Sequence, residues 1–141
     1  MDPSPTSQRL LQCLVVTPER SVLDEAADFV VLPMLDGELG VLPGRAPLIG
    51  RLGFGELRTV VGTATHRFYI DGGFAQVRGN VVTVLTSKAV AAEEIKLASA
   101  EEALKSAHKA APTPAEQDAQ LKAQERARAQ IRIAHHVSRP D

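Results

Sequence analysis

A chain of 141 residues is one ordinary domain, or a small domain carrying an appendage. At 44% hydrophobic and 23% charged residues it has enough apolar content for a core and is no disordered polyelectrolyte. Its formal net charge of -1 gives no general reason to expect nucleic acid or an anionic membrane as partner. A lone cysteine, Cys13, excludes an internal disulfide and a cysteine-built zinc site, and fits a reducing compartment. No apolar run approaches the roughly 18 residues of a spanning helix. Residues 1–5 have neither the basic start and apolar stretch of a signal peptide nor the composition of a transit peptide, so an intracellular protein is expected.

Composition divides the chain near Lys88. All 10 glycines lie between Gly37 and Gly79, and all five aromatic residues precede Gln76. After Lys88 there is no glycine and no aromatic residue, while 15 of the 53 residues are alanine. Glycine with β-branched and aromatic residues signals short strands and tight turns. Alanine with Glu, Lys, Gln and Arg signals helix. The expected organisation is a disordered extension over residues 1–8, an all-β domain over 9–88 and an α-helical segment over 89–141.

Taken in order, the first apolar run covers residues 10–16 and ends at Thr17-Pro18. Residues 29–35 form the next, closed by the turn dipeptide Asp36-Gly37, with Pro33 marking an edge or bulged strand. Short pieces follow at 39–41, 47–49 and 56–61. Residues 66–70 lead through Asp71-Gly72-Gly73 into 74–77, and Arg78-Gly79-Asn80 turns the chain into 81–86. Eight to ten strands at this spacing predict an antiparallel sandwich of two sheets or a flattened barrel. No crossover helix fits between them, which excludes a parallel α/β fold.

Two helices are predicted beyond, over residues 91–110 and 115–134, separated by Pro112-Thr113-Pro114. The second opens with Glu116 and Asp118 and closes with Arg126, Arg128 and Arg132, a polarity that suits the helix dipole. Ala119, Ala123, Ala127 and Ile131 share one of its faces, and Ala100, Ala103, Leu104, Ala107 and Ala111 offer a matching stripe on the first. Alanine buries little area, so the expected object is an antiparallel helical hairpin that can detach from the sandwich.

Catalytic chemistry is nearly absent. Neither a phosphate loop nor a dinucleotide-binding loop occurs, since Gly53-Phe54-Gly55 lacks the third glycine and a following helix. His135-His136 is a poor metal pair without carboxylates beside it, and no metal site is expected. Cys13 reads as a small core residue, and the pairs Glu93-Glu94 and Glu101-Glu102 as solvated helix faces. No nucleophile, base and oxyanion hole come together, so no enzyme is expected.

Two segments resemble one family. Residues 37–48, GELGVLPGRAPL, are similar to the GELG–x–x–PGHAPL signature of epsilon subunits of F-type ATP synthases. Residues 69–85, with Tyr69-Ile70-Asp71-Gly72-Gly73-Phe74 followed by Asn80-Val81-Val82-Thr83-Val84-Leu85, resemble its Y–x–x–GG…N–x–VTVL segment at the same distance. With the helical pair behind them, these cover nearly the whole chain beyond residue 8. The resemblance implies a ten-stranded sandwich plus hairpin in the rotor's central stalk, binding the gamma subunit and the polar loops of the membrane c-ring. It implies a peripheral place on the cytoplasmic face of a bacterial inner membrane, reached only through the complex. Glu38 would face the ring loops, with Arg45 in the same region, where the family usually has histidine. Extended toward the alpha/beta catalytic head, the hairpin would present Arg126, Arg128 and Arg132 to acidic segments and oppose ATP hydrolysis; a solvated basic helix end is the plainer alternative. Many bacterial members carry [IL]DxxRA where this chain has Ile95-Lys96-Leu97-Ala98-Ser99-Ala100. Lys96 stands for the acid and Ser99 for the arginine, so ATP binding is not expected and no cofactor is implied. The competing reading is a free-standing β-sandwich binding module whose helices form a dimerising hairpin.

Overall fold

In the computed structural model, which describes residues 10–108 and 113–138, eight strands precede two helices. The strands are β1 (Leu11–Val16), β2 (Ser21–Ala27), β3 (Phe29–Met34), β4 (Gly37–Val41), β5 (Leu48–Val61), β6 (Ala64–Arg78), β7 (Val81–Leu85) and β8 (Ala89–Ala91). A 3-10 turn at Ala92–Glu94 leads to α1 (Leu97–Ser106) and α2 (Pro114–Ser138). The expected extension over residues 1–8 lies outside the described residues, as do Ala111 and Pro112.

Hydrogen bonding links the strands in the order β2-β1-β7-β6-β5-β3-β4, with β8 added to β6. Two of them are long because they serve two layers. Residues 48–52 of β5 pair with 73–77 of β6, whose residues 74–78 go on to β7, β1 and β2. Residues 54–61 of β5 pair with 64–71 of β6, and these halves carry β3, β4 and β8. The result is five segments in each layer, which reconciles eight continuous strands with the expected ten. The strands predicted at 47–49 and 56–61 are the two halves of β5, and those at 66–70 and 74–77 the two halves of β6.

The crossover lies at Gly53 and Gly72-Gly73. Gly73 has φ +108°, and a Cβ there would stand 2.0 Å from the Leu85 carbonyl oxygen, so only glycine permits this approach of β6 to the end of β7. Between the layers lies an apolar core that includes Leu11, Cys13, Val15, Val30, Leu32, Val41, Leu57, Ile70, Val82 and Val84. Burial pushes the Cys13 thiol up to about 12, with the Glu25 charge adding to it, so the sulfur sits there as an inert core atom.

Several local expectations shift. β1 and β7 pair in parallel, which the long path through five intervening strands allows and an all-antiparallel reading missed. Leu35 and Asp36 form the two-residue β3–β4 turn, while Gly37, at φ +133°, already pairs with Met34. Pro33 sits at a register shift between β3 and β5, and β3 is internal rather than an edge strand. Strand structure continues past Lys88 through β8, and α1 is correspondingly shorter than its predicted span of 91–110. At α2 the break acts as foreseen: Pro114 is the first helical residue, and the Thr113 hydroxyl accepts the Glu116 amide at 3.1 Å as a cap.

Candidate functional site

Strand alternation gives each layer an outer face. In the second layer the pairs Phe54–Asp71, Glu56–Tyr69 and Arg58–Arg67 lie in register on one side, with Val90 of β8 opposite Tyr69. Helix α2 lies across this face. Ile133 and Ala129 pack with Tyr69 and Ala92 in a small core of its own, bordered by Phe54, Val90 and Ile95. Helix α1 packs on α2 in turn, with Ala100, Ala107 and Ala127 buried and Gln124 donating to the carbonyl of Ala107, the C-cap of α1, at 2.9 Å.

The predicted seam is therefore partly corrected. Ala100, Ala107 and Ala127 are buried, but Ala103 and Ala119 are exposed. Ile131, expected on the face toward α1, is half-buried, while Ile133, not singled out in the sequence, is fully buried in a separate contact with the sandwich.

Polar contacts close both ends of the docked face. Arg126 Nε donates to Asp71 Oδ1 at 2.8 Å while its guanidinium stacks over Phe54, 4.6 Å from the ring centroid. One α2 segment further, His136 Nδ1 lies 2.8 Å from Glu56 Oε2, a contact in which the imidazole is the donor. Arg58 and Arg67 also donate to Glu56, at 3.0 and 3.1 Å. Burial would raise the Glu56 carboxyl, but the hydrogen bonds from His136 and Arg58 and the charges of His136 and Arg67 hold it below the usual glutamate value. Tyr69 donates to Asp71 at 3.0 Å, and burial, followed by that negative charge, pushes its hydroxyl well above the ordinary phenol range.

The residues singled out in the sequence are thus dispersed. Glu38, exposed on β4, receives two hydrogen bonds from Arg58, at 2.9 and 3.4 Å. Arg45 is exposed in the loop after β4, which the Gly44 amide ties to Asn80 Oδ1 of the β6–β7 turn at 2.8 Å. Arg128 and Arg132 are exposed on α2, whereas Arg126 is engaged by the sandwich. Lys96 and Ser99 are exposed and border a 250 Å³ recess, shared with Lys88, Glu94 and Gln130, where the hairpin leaves the sandwich. Asp71, Phe54, Glu56 and His136 were not recognised as a set. Each partner lies between 55 and 80 positions from its counterpart on α2, and no local spacing marks such a pair.

The first layer is different: among the described residues nothing covers the large apolar side chains on its outer face. Ile49, Phe74 and Leu85 are adjacent on β5, β6 and β7, and they are 73%, 53% and 53% exposed. Arg51 pairs with Phe74 in the same register. Among the described residues no group of three or more His, Cys, Asp or Glu side chains could hold a metal, and no helix is long and apolar enough to cross a membrane.

The described residues thus form a β-sandwich with large apolar side chains exposed on one outer face and a helical hairpin laid over the other, the architecture of a two-part all-β and α-helical subunit. Residues 10–92 match the family model of the β-sandwich domain of ATP synthase delta/epsilon chains. The chain is 50% identical over 128 residues to an ATP synthase epsilon chain of Rhodopirellula baltica, covering 88% of this chain and 98% of that one. It is 37% identical over 132 residues to an ATP synthase epsilon chain of a Synechococcus strain, covering 92% and 96%. A chain in the solved OSCP/F1/c-ring assembly of the Euglena gracilis mitochondrial ATP synthase superposes with a TM-score of 0.78 at 25% identity, over 92% of this chain and 88% of that one. A chain from the Tetrahymena thermophila central stalk and c-ring shares the fold, with a TM-score of 0.70 at 15% identity over 89% and 96%. The chain belongs to the delta/epsilon family of F-type ATP synthase subunits. The relatives it matches along nearly their whole length are epsilon chains, subunits of that complex.

Proposed function

We propose that the two outer faces divide the work of this subunit between coupling and braking. The first layer, with Ile49, Phe74 and Leu85 exposed, is the surface for the gamma subunit. Glu38 and Arg45 meet gamma and the polar loops of the c-ring at the sandwich margin, so that ring rotation is transmitted to gamma while the alpha/beta head makes ATP. In this reading the subunit is peripheral on the cytoplasmic face of a bacterial inner membrane and is held there by its partners.

The hairpin is the brake, and the structure is its disengaged form. What carries this reading is the docking of α2 through a narrow, alanine-rich seam with one large apolar residue, Ile133. Such a seam is released at modest cost, because alanine contributes little at about 25 cal/mol per Å² of buried apolar surface. Released, α2 presents Arg126, Arg128 and Arg132 to acidic segments of the catalytic head. The ATP site of related bacterial subunits is lost here, since Lys96 and Ser99 border the recess where an acid and an arginine would be required.

The test is ATP hydrolysis by an epsilon-depleted catalytic head containing its own gamma subunit. It is titrated with the full chain, with a chain ending after Glu94 so that β8 is retained, and with Arg126, Arg128 and Arg132 all changed to Ala. All three should bind, and only the full chain should slow hydrolysis. Equal inhibition by the triple variant would reject the brake; failure of the full chain to bind would reject the coupling role.

A further inference from the structure

We propose that Asp71 and Phe54 form a holding site for Arg126, whose occupancy decides whether the hairpin stays on the sandwich. The proposal rests on the braking role of α2 for its functional consequence, but the holding site itself can be tested without the complex. Arg126 is the one arginine of the three that meets the sandwich: its Nε reaches the Asp71 carboxylate at 2.8 Å and its plane covers the Phe54 ring at 4.6 Å. Both partners project from the same rung of the β5–β6 ladder, where Phe54 and Asp71 are paired in register. Asp71 is positioned rather than free, because Tyr69 and Ser87 also donate to it.

A guanidinium held by a carboxylate on one edge and an aromatic face below is fixed in place together with the helix that carries it. The holding site therefore competes with an acidic partner away from the sandwich by position: while Arg126 lies on the Phe54–Asp71 rung, α2 is docked and cannot carry it there. The sandwich wins in the free subunit through proximity along one chain. An acidic surface on the catalytic head, which also engages the exposed Arg128 and Arg132, wins when it is near enough. Asp71 is thus an internal stand-in for the acidic partner, and its charge sets the threshold for release.

The experiment uses the full chain with spin labels at Ala119→Cys and Thr65→Cys, both exposed, while the fully buried Cys13 stays unlabelled. Pulsed dipolar spectroscopy then reads the share of molecules with α2 on the sandwich. Asp71→Asn keeps the shape and an acceptor for Tyr69 but removes the charge; Phe54→Leu keeps apolar bulk but removes the π face. Each should raise the long-distance population severalfold. Combined with Arg126→Gln, neither should add a further increase, because the shared contact is already lost. In the hydrolysis assay Asp71→Asn, with Arg126 intact, should inhibit at severalfold lower concentration than the unaltered chain.

Unchanged distances in both single variants, or fully additive effects with Arg126→Gln, would overturn the holding site. Release in the distance measurement without stronger inhibition would overturn the competition. If the unaltered chain never slows hydrolysis, the brake itself fails, and the distances still decide the holding site.

Discussion

Ile133 is the position where the docked hairpin is most vulnerable. Its side chain is fully buried between Tyr69, Ala92 and Ala129, and it is the large residue that α2 contributes to this contact. Ile133→Ala deletes three carbon atoms; at about 0.8 kcal/mol for each buried group the docked form loses about 2.4 kcal/mol. That corresponds to roughly a fiftyfold shift toward the released hairpin. The usual penalty for an enclosed cavity applies only in part, because the contact opens instead of retaining a void. Ile131→Ala is the control: half-buried, the residue lies outside the contact with Tyr69, and its replacement should shift the balance by less than half as much in free energy. The assay is the same pair of spin labels on α2 and β6, read beside a thermal melt of the sandwich. The melt should stay in place while the distances lengthen for Ile133→Ala. Equal release by the two variants, or release by Ile131→Ala alone, would refute the assignment of the docked face.

Three further outcomes follow from named contacts. Glu56 is held below its ordinary value, so its stabilising contribution is complete above the unfolded glutamate value of about 4.3 and fades as pH falls through the lower folded value. Acidification from pH 6 to 3 should accordingly lengthen the spin-label distances, and Glu56→Gln should reduce that dependence without abolishing it, since the Asp71–Arg126 pair is a second charged contact on the docked face; an unaltered acid profile in the variant would exclude the His136–Glu56 contact as a contributor. Gly73→Ala should be severely destabilising in a thermal melt, because its new Cβ meets the Leu85 carbonyl, whereas Gly79→Ala, also at positive φ but facing open space, should cost only about 1–2 kcal/mol. Calorimetric titration of the full chain with ATP should show no tight one-to-one complex, and one would contradict the loss of recognition assigned to Lys96 and Ser99.

The sandwich was legible because its instructions are local. Gly79-Asn80, both at positive φ, close the β6–β7 hairpin where the residues demand it, and Gly72-Gly73 mark the place where β6 changes layer. Alternation then assigns each side chain to a face. The hairpin was less legible for a related reason. Alanine occurs on several sides of α2, so periodicity names more than one seam, and Ala119 fits the pattern while standing in water. Ile131 and Ile133 are equally apolar, and only the position of Tyr69 chooses between them. Likewise Arg126 belongs to a uniform basic helix end in the sequence; its distinction comes from a carboxylate and a ring contributed by two other elements. His136, weighed only as a metal ligand, finds its carboxylate eighty positions back on β5.

The same long strands that build both layers also connect the two proposed activities. Arg51 and Phe74 form one rung on the bare face; Phe54 and Asp71, three residues along each strand, form the rung beneath Arg126. At about 3.3 Å per residue, the partner surface and the holding site are about 10 Å apart. Between them lie Gly53 and Gly72-Gly73, and one cleft is lined at once by Arg51, Phe74, Phe54, Lys122 and Arg126. If Phe74 meets gamma as proposed, load on it bears on the short bend that orients Asp71 and Phe54 toward the helix. The proposed partner surface and the proposed latch are thereby joined through two continuous backbones, β5 and β6, with no loop between them.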